Sequence, residues 1–291
     1  MAATIIDGKA IAAKMRGETQ DKVNRLKERG ITPCLAVIIA GDNLASLSYV
    51  KGKKKALAET GMEGRDYHFP ETVSEDEILA LIANLNADEK VHGILVQLPL
   101  PSHIRKSVIL NSLKPEKDVD CFHPISLGKL FLGEPGFRPC TPHGIITMLA
   151  EHKIPASGAH AVVVGRSNIV GKPLASLLSM RRLNATVTVC HTGTRDLGFF
   201  TRSADILVAA AGSPGLIKGD MIKKGAAVID VGINRVEDSG KKKGYRVTGD
   251  VVFDEACEVA GWITPVPGGV GPMTIATLLQ NVVQAAGRTI G

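Results

Sequence analysis

The chain has 291 residues, a length that suggests two domains. Hydrophobic residues make up 44% and charged residues 22%, an ordinary globular mix that excludes disorder and a disulfide-stapled miniprotein. Aromatics are only 4%, so the core must be aliphatic, while 31 glycines ask for many tight turns or close backbone approaches; both suit an α/β architecture. The formal net charge of +6 leaves open nucleic acid or an anionic metabolite as partner. Five scattered cysteines without a C-x-x-C pair read as reduced thiols of a cytoplasmic protein. No signal peptide is evident at the start, and no apolar run reaches membrane-spanning length.

Asp7 caps an amphipathic helix carrying Ile11, Met15, Val23 and Leu26, which stops at Gly30. Cys34–Ala40 is wholly apolar, the pattern of a central parallel strand covered on both faces. A helix is expected from Ser46 to Glu59, a short strand at Tyr67–Phe69, and a helix over Ser74–Asn86 opened by a Ser74/Glu77 capping box. Val91–Gln97 is a strand running into two X-Pro bonds. The Pro/Gly-rich stretch Gly133–Gly144 marks a domain boundary. Alternation then resumes with strands at Ala161–Val164, Thr186–Cys190, Ile206–Ala211 and Ala226–Val231, and a helix over Ile169–Met180. Lys241–Arg246 reads as a polar loop. Trp262–Thr264, a Pro/Gly loop and an apolar helix from Met273 to Ala286 close the chain. Such alternation predicts βαβ units and mostly parallel sheets.

Several segments could carry chemistry. Gly165-Arg166-Ser167-Asn168-Ile169-Val170-Gly171 follows a strand and opens a helix, which presents backbone N–H groups to a pyrophosphate; it also satisfies a plain βα turn. The next strand ends Cys190-His191-Thr192-Gly193-Thr194-Arg195 without the acid that binds an NAD ribose. Hydroxyls with Arg166 and Arg195 favour the 2′-phosphate of NADP. Tyr49 and Lys53 lie four apart on one helix face, amid Lys51, Lys54 and Lys55; a solvated basic face is the plainer reading, a lysine base the sharper one. Gln97 ends a strand, where parallel sheets place functional side chains. Asp118-Val-Asp120-Cys-Phe-His123 could be a metal site or an ordinary loop. Pro265-Val-Pro267-Gly268-Gly269-Val-Gly-Pro272 is a shaped loop before a helix, or a rigid linker.

Taken together and in order, Tyr49-x-x-x-Lys53, Val96–Pro101, Lys117–Asp120, Arg138–Pro142, Gly165–Gly171, Asp230–Asn234 and Thr264–Thr274 resemble the bifunctional methylenetetrahydrofolate dehydrogenase/methenyltetrahydrofolate cyclohydrolase family, from roughly Ile6 to Ala286. The resemblance implies an N-terminal α/β folate-binding domain with a mostly parallel sheet (residues 1–142). A C-terminal Rossmann-type NADP domain would follow (143–271), and the final helix (272–291) would return to the first, with the active site in the cleft. It implies hydride transfer from 5,10-methylenetetrahydrofolate to NADP⁺, then hydrolysis to 10-formyltetrahydrofolate. Lys53 is the implied base or proton shuttle, held by Tyr49 and Gln97; Tyr49 stacks on the folate and Asp120 anchors the pterin. Leu98, Pro99, Pro265, Gly268, Gly269 and Pro272 line the folate site. Gly165, Arg166, Ser167, Val170, Gly171, Thr192 and Ile233 bind NADP. Thr192 stands where many members have Ser. A homodimer is implied, and no metal, membrane or nucleic acid. The rivals are an NADP-dependent dehydrogenase of another substrate and a basic nucleic-acid-binding protein, the latter without an aromatic platform or recognisable binding module.

Overall fold

The computed structural model describes residues 2–238, 240 and 244–288. In chain order its first elements are β1 (Thr4–Ile5), α1 (Gly8–Glu28), β2 (Cys34–Ala40), α2 (Leu44–Glu59), β3 (Glu63–Phe69), α3 (Glu75–Ala87) and β4 (Gly93–Val96). Then come α4 (Lys106–Asn111), α5 (Pro124–Leu132), α6 (Cys140–Glu151), β5 (His160–Val164), α7 (Gly171–Ser179), β6 (Thr186–Cys190), α8 (Leu197–Thr201) and β7 (Ile206–Ala209). The chain ends with β8 (Ala227–Asp230), β9 (Asn234–Glu237), β10 (Tyr245–Thr248), α9 (Phe253–Val259), β11 (Trp262–Ile263) and α10 (Val270–Gly287). Among the described residues no helix is long and apolar enough to cross a membrane.

Two units result, residues 13–140 with 275–291, and residues 1–12 with 141–274. The chain passes between them inside α1, α6 and α10. The sequence reading grouped the first twelve residues with the N-terminal domain. They join the other unit because β1 pairs in parallel with β11, Thr4 opposite Trp262.

The unit formed by residues 13–140 and 275–291 holds a three-stranded parallel sheet, in the order β3-β2-β4. β2 is buried throughout and alternates strictly. Leu35, Val37 and Ile39 pack with Leu57, Leu278, Leu279 and Val282 of the α2/α10 layer. Cys34, Ala36 and Ile38 face Ile78, Ile82 and Ile109 of the α3/α4 layer. A strand covered on both faces has no use for polar residues, which explains the run CLAVIIA. β3 is longer than Tyr67–Phe69 because it pairs with β2 along its whole length, and its charged residues are tolerable at a sheet edge. The capping box forms as expected: Ser74 Oγ accepts from Glu77 N, and Glu77 Oε2 accepts from Ser74 N at 3.0 Å.

The other unit holds a six-stranded parallel sheet, β1-β11-β8-β7-β5-β6. β5 is flanked by β6 on one side and β7 on the other, so the chain reverses direction across the sheet there. Open α/β sheets bind ligands at the carboxyl ends of strands at such a point. β9 and β10 form an antiparallel hairpin. Tyr245 and Arg246, read as part of a polar loop, therefore lie in a strand, with the Arg235 guanidinium over the Tyr245 ring at 4.6 Å. Lys241–Lys243 fall outside the described residues.

Two glycines in the first unit make opposite predictions. Gly17 lies exposed inside α1, and a Cβ there meets nothing within 4 Å. Gly17→Ala should stabilise by about 0.5–1 kcal/mol, since alanine loses less backbone entropy. Gly93 opens β4, where a Cβ would come within 2.8 Å of Val119 Cγ1. Gly93→Ala should cost about 1–3 kcal/mol through overpacking. Urea unfolding of the two variants beside the parent measures both.

Candidate active site

In the unit of residues 13–140 and 275–291, chemistry gathers at the carboxyl ends of β2 and β4. α2 leaves the end of β2 and carries Tyr49 and Lys53 one turn apart. Lys53 is only 4% exposed, although it stands in a run of three lysines. Its Nζ donates to Gln97 Oε1 at 3.0 Å and lies 5.2 Å from the centroid of the Tyr49 ring. Gln97 follows β4 directly; its Nε2 donates to Leu98 O at 2.8 Å, which fixes the amide and turns its oxygen to the lysine. The Leu98–Pro99 peptide is cis. The neighbouring lysines do otherwise: Lys54 pairs with Asp66 at 2.6 Å and Lys55 with Glu59 at 3.7 Å. The helix thus presents one buried amine beside two ion-paired lysines.

Asp120 supplies the opposing charge. Burial pushes the Lys53 amine below the ordinary lysine range, and the nearby Asp120 charge partly restores its ammonium. Burial likewise raises the Asp120 carboxyl, and Lys53 and the Cys140 thiol pull it back down. Burial, with Asp120 adding to it, raises the Cys140 thiol as well. A lysine whose amine is shifted this way gives up its proton more readily than a surface lysine, the direction a general base needs.

The turn carrying Asp120 is built by its neighbours. Asp118 is buried, and its carboxylate accepts from Phe122 N at 3.1 Å and His123 N at 2.9 Å. Burial raises its carboxyl to about 6. His123 Nδ1 accepts from Ile125 N at 3.1 Å, capping α5. These groups, open to a metal reading in the sequence, are occupied in ordering the loop. Among the described residues no cluster of three or more His, Cys, Asp or Glu is placed to hold a metal ion. Cys121 takes φ +62° at the apex, and its Sγ donates to Phe137 O at 3.4 Å.

In the six-stranded unit, the turn after β5 is shaped by close backbone approach. Gly165 has φ +125°, and a Cβ there would lie 2.1 Å from Ala210 O at the end of β7. A Cβ at Gly171 would lie 2.1 Å from Gly165 O. Between them Ser167 Oγ accepts from Val170 N at 3.1 Å and Gly171 N at 3.3 Å, so the turn closes onto the first residues of α7. Gly165 N donates to Cys190 O at 2.8 Å, which holds this turn beside the end of β6. There His191 N donates to Thr194 Oγ1 at 2.9 Å, and Arg166, Thr192 and Arg195 are exposed. Such a side-chain-free cradle at a strand-to-helix turn fits a dinucleotide pyrophosphate.

Two further carboxylates order the neighbouring loops: Asp230, which opens the Asp230–Asn234 motif, and Asp250, for which the sequence offers no local signal. Asp250 Oδ2 accepts from Ala211 N at 2.7 Å and Gly212 N at 2.9 Å, and its Oδ1 from Ser213 N at 2.9 Å and Asn234 Nδ2 at 2.8 Å. Asp230 Oδ1 accepts from Gly232 N and Asp250 N, both at 2.9 Å, and its Oδ2 from Val251 N at 3.0 Å. Ile233 follows with its side chain 58% exposed, apolar surface left open beside the strand ends. In the Pro265–Pro272 segment, Gly268 takes φ +116° and Gly269 N donates to Pro265 O at 2.8 Å. A Cβ at Gly8 would lie 1.9 Å from Gly269 O, so the loop rests on the first turn of α1.

Residues 6–120 match the family model described as tetrahydrofolate dehydrogenase/cyclohydrolase, catalytic domain, and residues 139–290 match its NAD(P)-binding domain. The chain belongs to the tetrahydrofolate dehydrogenase/cyclohydrolase family. The bifunctional protein FolD of Geobacillus thermodenitrificans is 55% identical over 98% of each chain. The crystal structure of the bifunctional FolD enzyme from Campylobacter jejuni superposes with a TM-score of 0.94 at 50% identity, covering 99% of this chain and 100% of that one. The Trypanosoma brucei enzyme, complexed with NADP cofactor and inhibitor, gives 0.96 at 42% identity, covering 100% and 99%.

Burial raises the Asp230 carboxyl to about 6, above its unfolded value of about 3.9. The folded state therefore binds the extra proton between those values, and stability from this group falls as pH rises from about 4 to about 6. Asp230→Asn should flatten that slope. It should also cost about 1–3 kcal/mol, because its amide meets a backbone N–H that then lacks an acceptor. Urea midpoints of parent and variant at pH 4.5 and 7 read both effects.

Proposed function

We propose that the chain oxidises 5,10-methylenetetrahydrofolate to the 5,10-methenyl cation with NADP⁺ and hydrolyses that cation to 10-formyltetrahydrofolate, with Lys53 as the proton-handling group. The observation that carries this reading is one buried amine, bonded to Gln97 and backed by Asp120, in a chain of this family. NADP⁺, when bound, accepts the hydride released from the methylene carbon.

Gln97 Oε1 accepts a hydrogen bond from Lys53 Nζ, and that bond directs the lone pair of the neutral amine. In hydrolysis the amine accepts a proton from the water that adds to the cation and returns one to the ring nitrogen as the C–N bond opens. Water contributes its oxygen to the formyl group, and one proton is released overall. Asp120 accepts from the pterin ring N–H and amino group, and the Tyr49 ring stacks on the folate. Leu98 and Pro99 line the folate. Gly165, Ser167, Val170 and Gly171 would hold the pyrophosphate and Arg166 and Thr192 the 2′-phosphate, and Ile233 would offer its exposed apolar side chain to NADP. Five free cysteines fit a reducing cytoplasm, where we expect the enzyme to act as a homodimer.

Lys53→Met keeps an apolar stem in the buried slot. It should lose cyclohydrolase activity by about a hundredfold or more, within the ordinary worth of general acid–base catalysis, while the dehydrogenase step falls less and methenyltetrahydrofolate accumulates. Lys54→Met is the control and should change neither rate much. Normal hydrolysis by Lys53→Met would show the base to be elsewhere. For the cofactor, Arg166→Ala should raise KM for NADP⁺ far more than for NAD⁺; equal effects would remove Arg166 from the 2′-phosphate site.

A further inference from the structure

Asn281 lies on α10, far along the chain from the residues with which it shares a unit. It is 3% exposed, a polar side chain in a helix whose other buried residues are mostly apolar. Its Nδ2 donates to Val119 O at 2.8 Å and to Arg138 O at 2.9 Å, which uses both amide protons, and Cys140 Sγ lies 3.7 Å away. Val119 O also accepts from Cys140 Sγ at 3.5 Å. That carbonyl belongs to the peptide joining Val119 to Asp120. Val119 itself is fully buried, and its side chain packs against Gly93. On the other side, Asp118 is tied to Phe122 N and His123 N. The backbone leading into Asp120 is thus held from two directions, and Asn281 holds the carbonyl of the peptide immediately before it.

We propose that Asn281 is a positioning residue for the catalytic chemistry: it sets where Asp120 points, and through Asp120 the protonation of Lys53. This rests on the assignment of Lys53 and Asp120 to the folate site. Asp120 is the charge that supports the Lys53 ammonium, so a displaced Asp120 weakens both pterin binding and that support. A core anchor alone accounts less well for the choice of residue. A leucine of similar size, like Leu278 and Leu279 on the same helix, fills core volume without having to satisfy two donors. The amide is matched instead to two backbone carbonyls, one of them in the peptide that joins Val119 to Asp120.

The test uses the full-length enzyme with Asn281→Leu, which keeps volume and removes both donors, and Asn281→Ser, which keeps one. Asn281→Leu should raise the folate KM on the order of ten- to hundredfold, the scale of small misplacements, and leave the NADP⁺ KM within about twofold. The acidic limb of the cyclohydrolase pH profile should move to lower pH, because the ammonium loses its partner. Asn281→Ser should recover part of both effects, and it carries the test alone if the leucine variant does not fold. In an Asp120→Asn background, Asn281→Leu should cost less than about twofold further, since residues acting through one group are not additive. A lowered melting temperature with unchanged folate KM and pH limb, or full additivity with Asp120→Asn, would overturn the proposal. If Asp120→Asn itself moves neither quantity, the site assignment fails, and the positioning role with it; if it moves both and Asn281→Leu does not, the positioning role alone fails.

Discussion

Taking the Lys53 amine out of water is the act around which its unit is arranged. An isolated buried ammonium is costly, so the amine needs a hydrogen-bond acceptor, a counter-charge and a dry wall. Gln97 supplies the acceptor, fixed by its own bond to Leu98 O. Asp120 supplies the charge, and Tyr49 the wall. Each sits where the parallel sheet delivers it, at or just after the carboxyl ends of β2 and β4. The result is an amine that releases its proton more readily than a surface lysine does.

The six-stranded unit solves a related problem with carboxylates instead of an amine. Asp230 and Asp250 are buried, and between them they collect six backbone N–H groups from the segments after β7, β8 and β10 and the side-chain amide of Asn234. Loops without regular structure must find partners for their N–H groups somewhere, and here the acceptors come from within. This keeps the rim around Gly165 and Ile233 defined without long side chains. In both units, buried acids build the turns and glycines or small residues make room beside them.

The sequence carried the frame well where one physical signal dominated. Cys34–Ala40 is legible because a doubly covered strand is apolar throughout, and Ser74/Glu77 because a capping box is local. β3 was read short since its first half, Glu63–Asp66, is charged in the manner of an edge. α4 and α5 were missed because they are brief and lack strong periodicity, and α6 because its first turn holds Pro142, where a helix needs no donor. Lys53 could be placed beside Tyr49 by helical spacing, but burial separates it from Lys51, Lys54 and Lys55, and burial is a tertiary fact. Asn281 gives no local signal at all: its partners stand 143 and 162 positions earlier.

Neither unit is a continuous stretch of chain, and that bears on the order in which the protein can be completed during synthesis. β1 emerges well over two hundred residues before β11, the strand with which it pairs. The sheet β3-β2-β4 emerges early, but one side of its core waits for Leu278, Leu279 and Val282. Until α10 leaves the ribosome, the turn that carries Asp120 lacks its tie to Asn281 and the apolar face of β2 lacks part of its cover. The nascent chain must therefore carry unfinished hydrophobic surface through most of its translation, a period in which chaperones and proteases compete with folding.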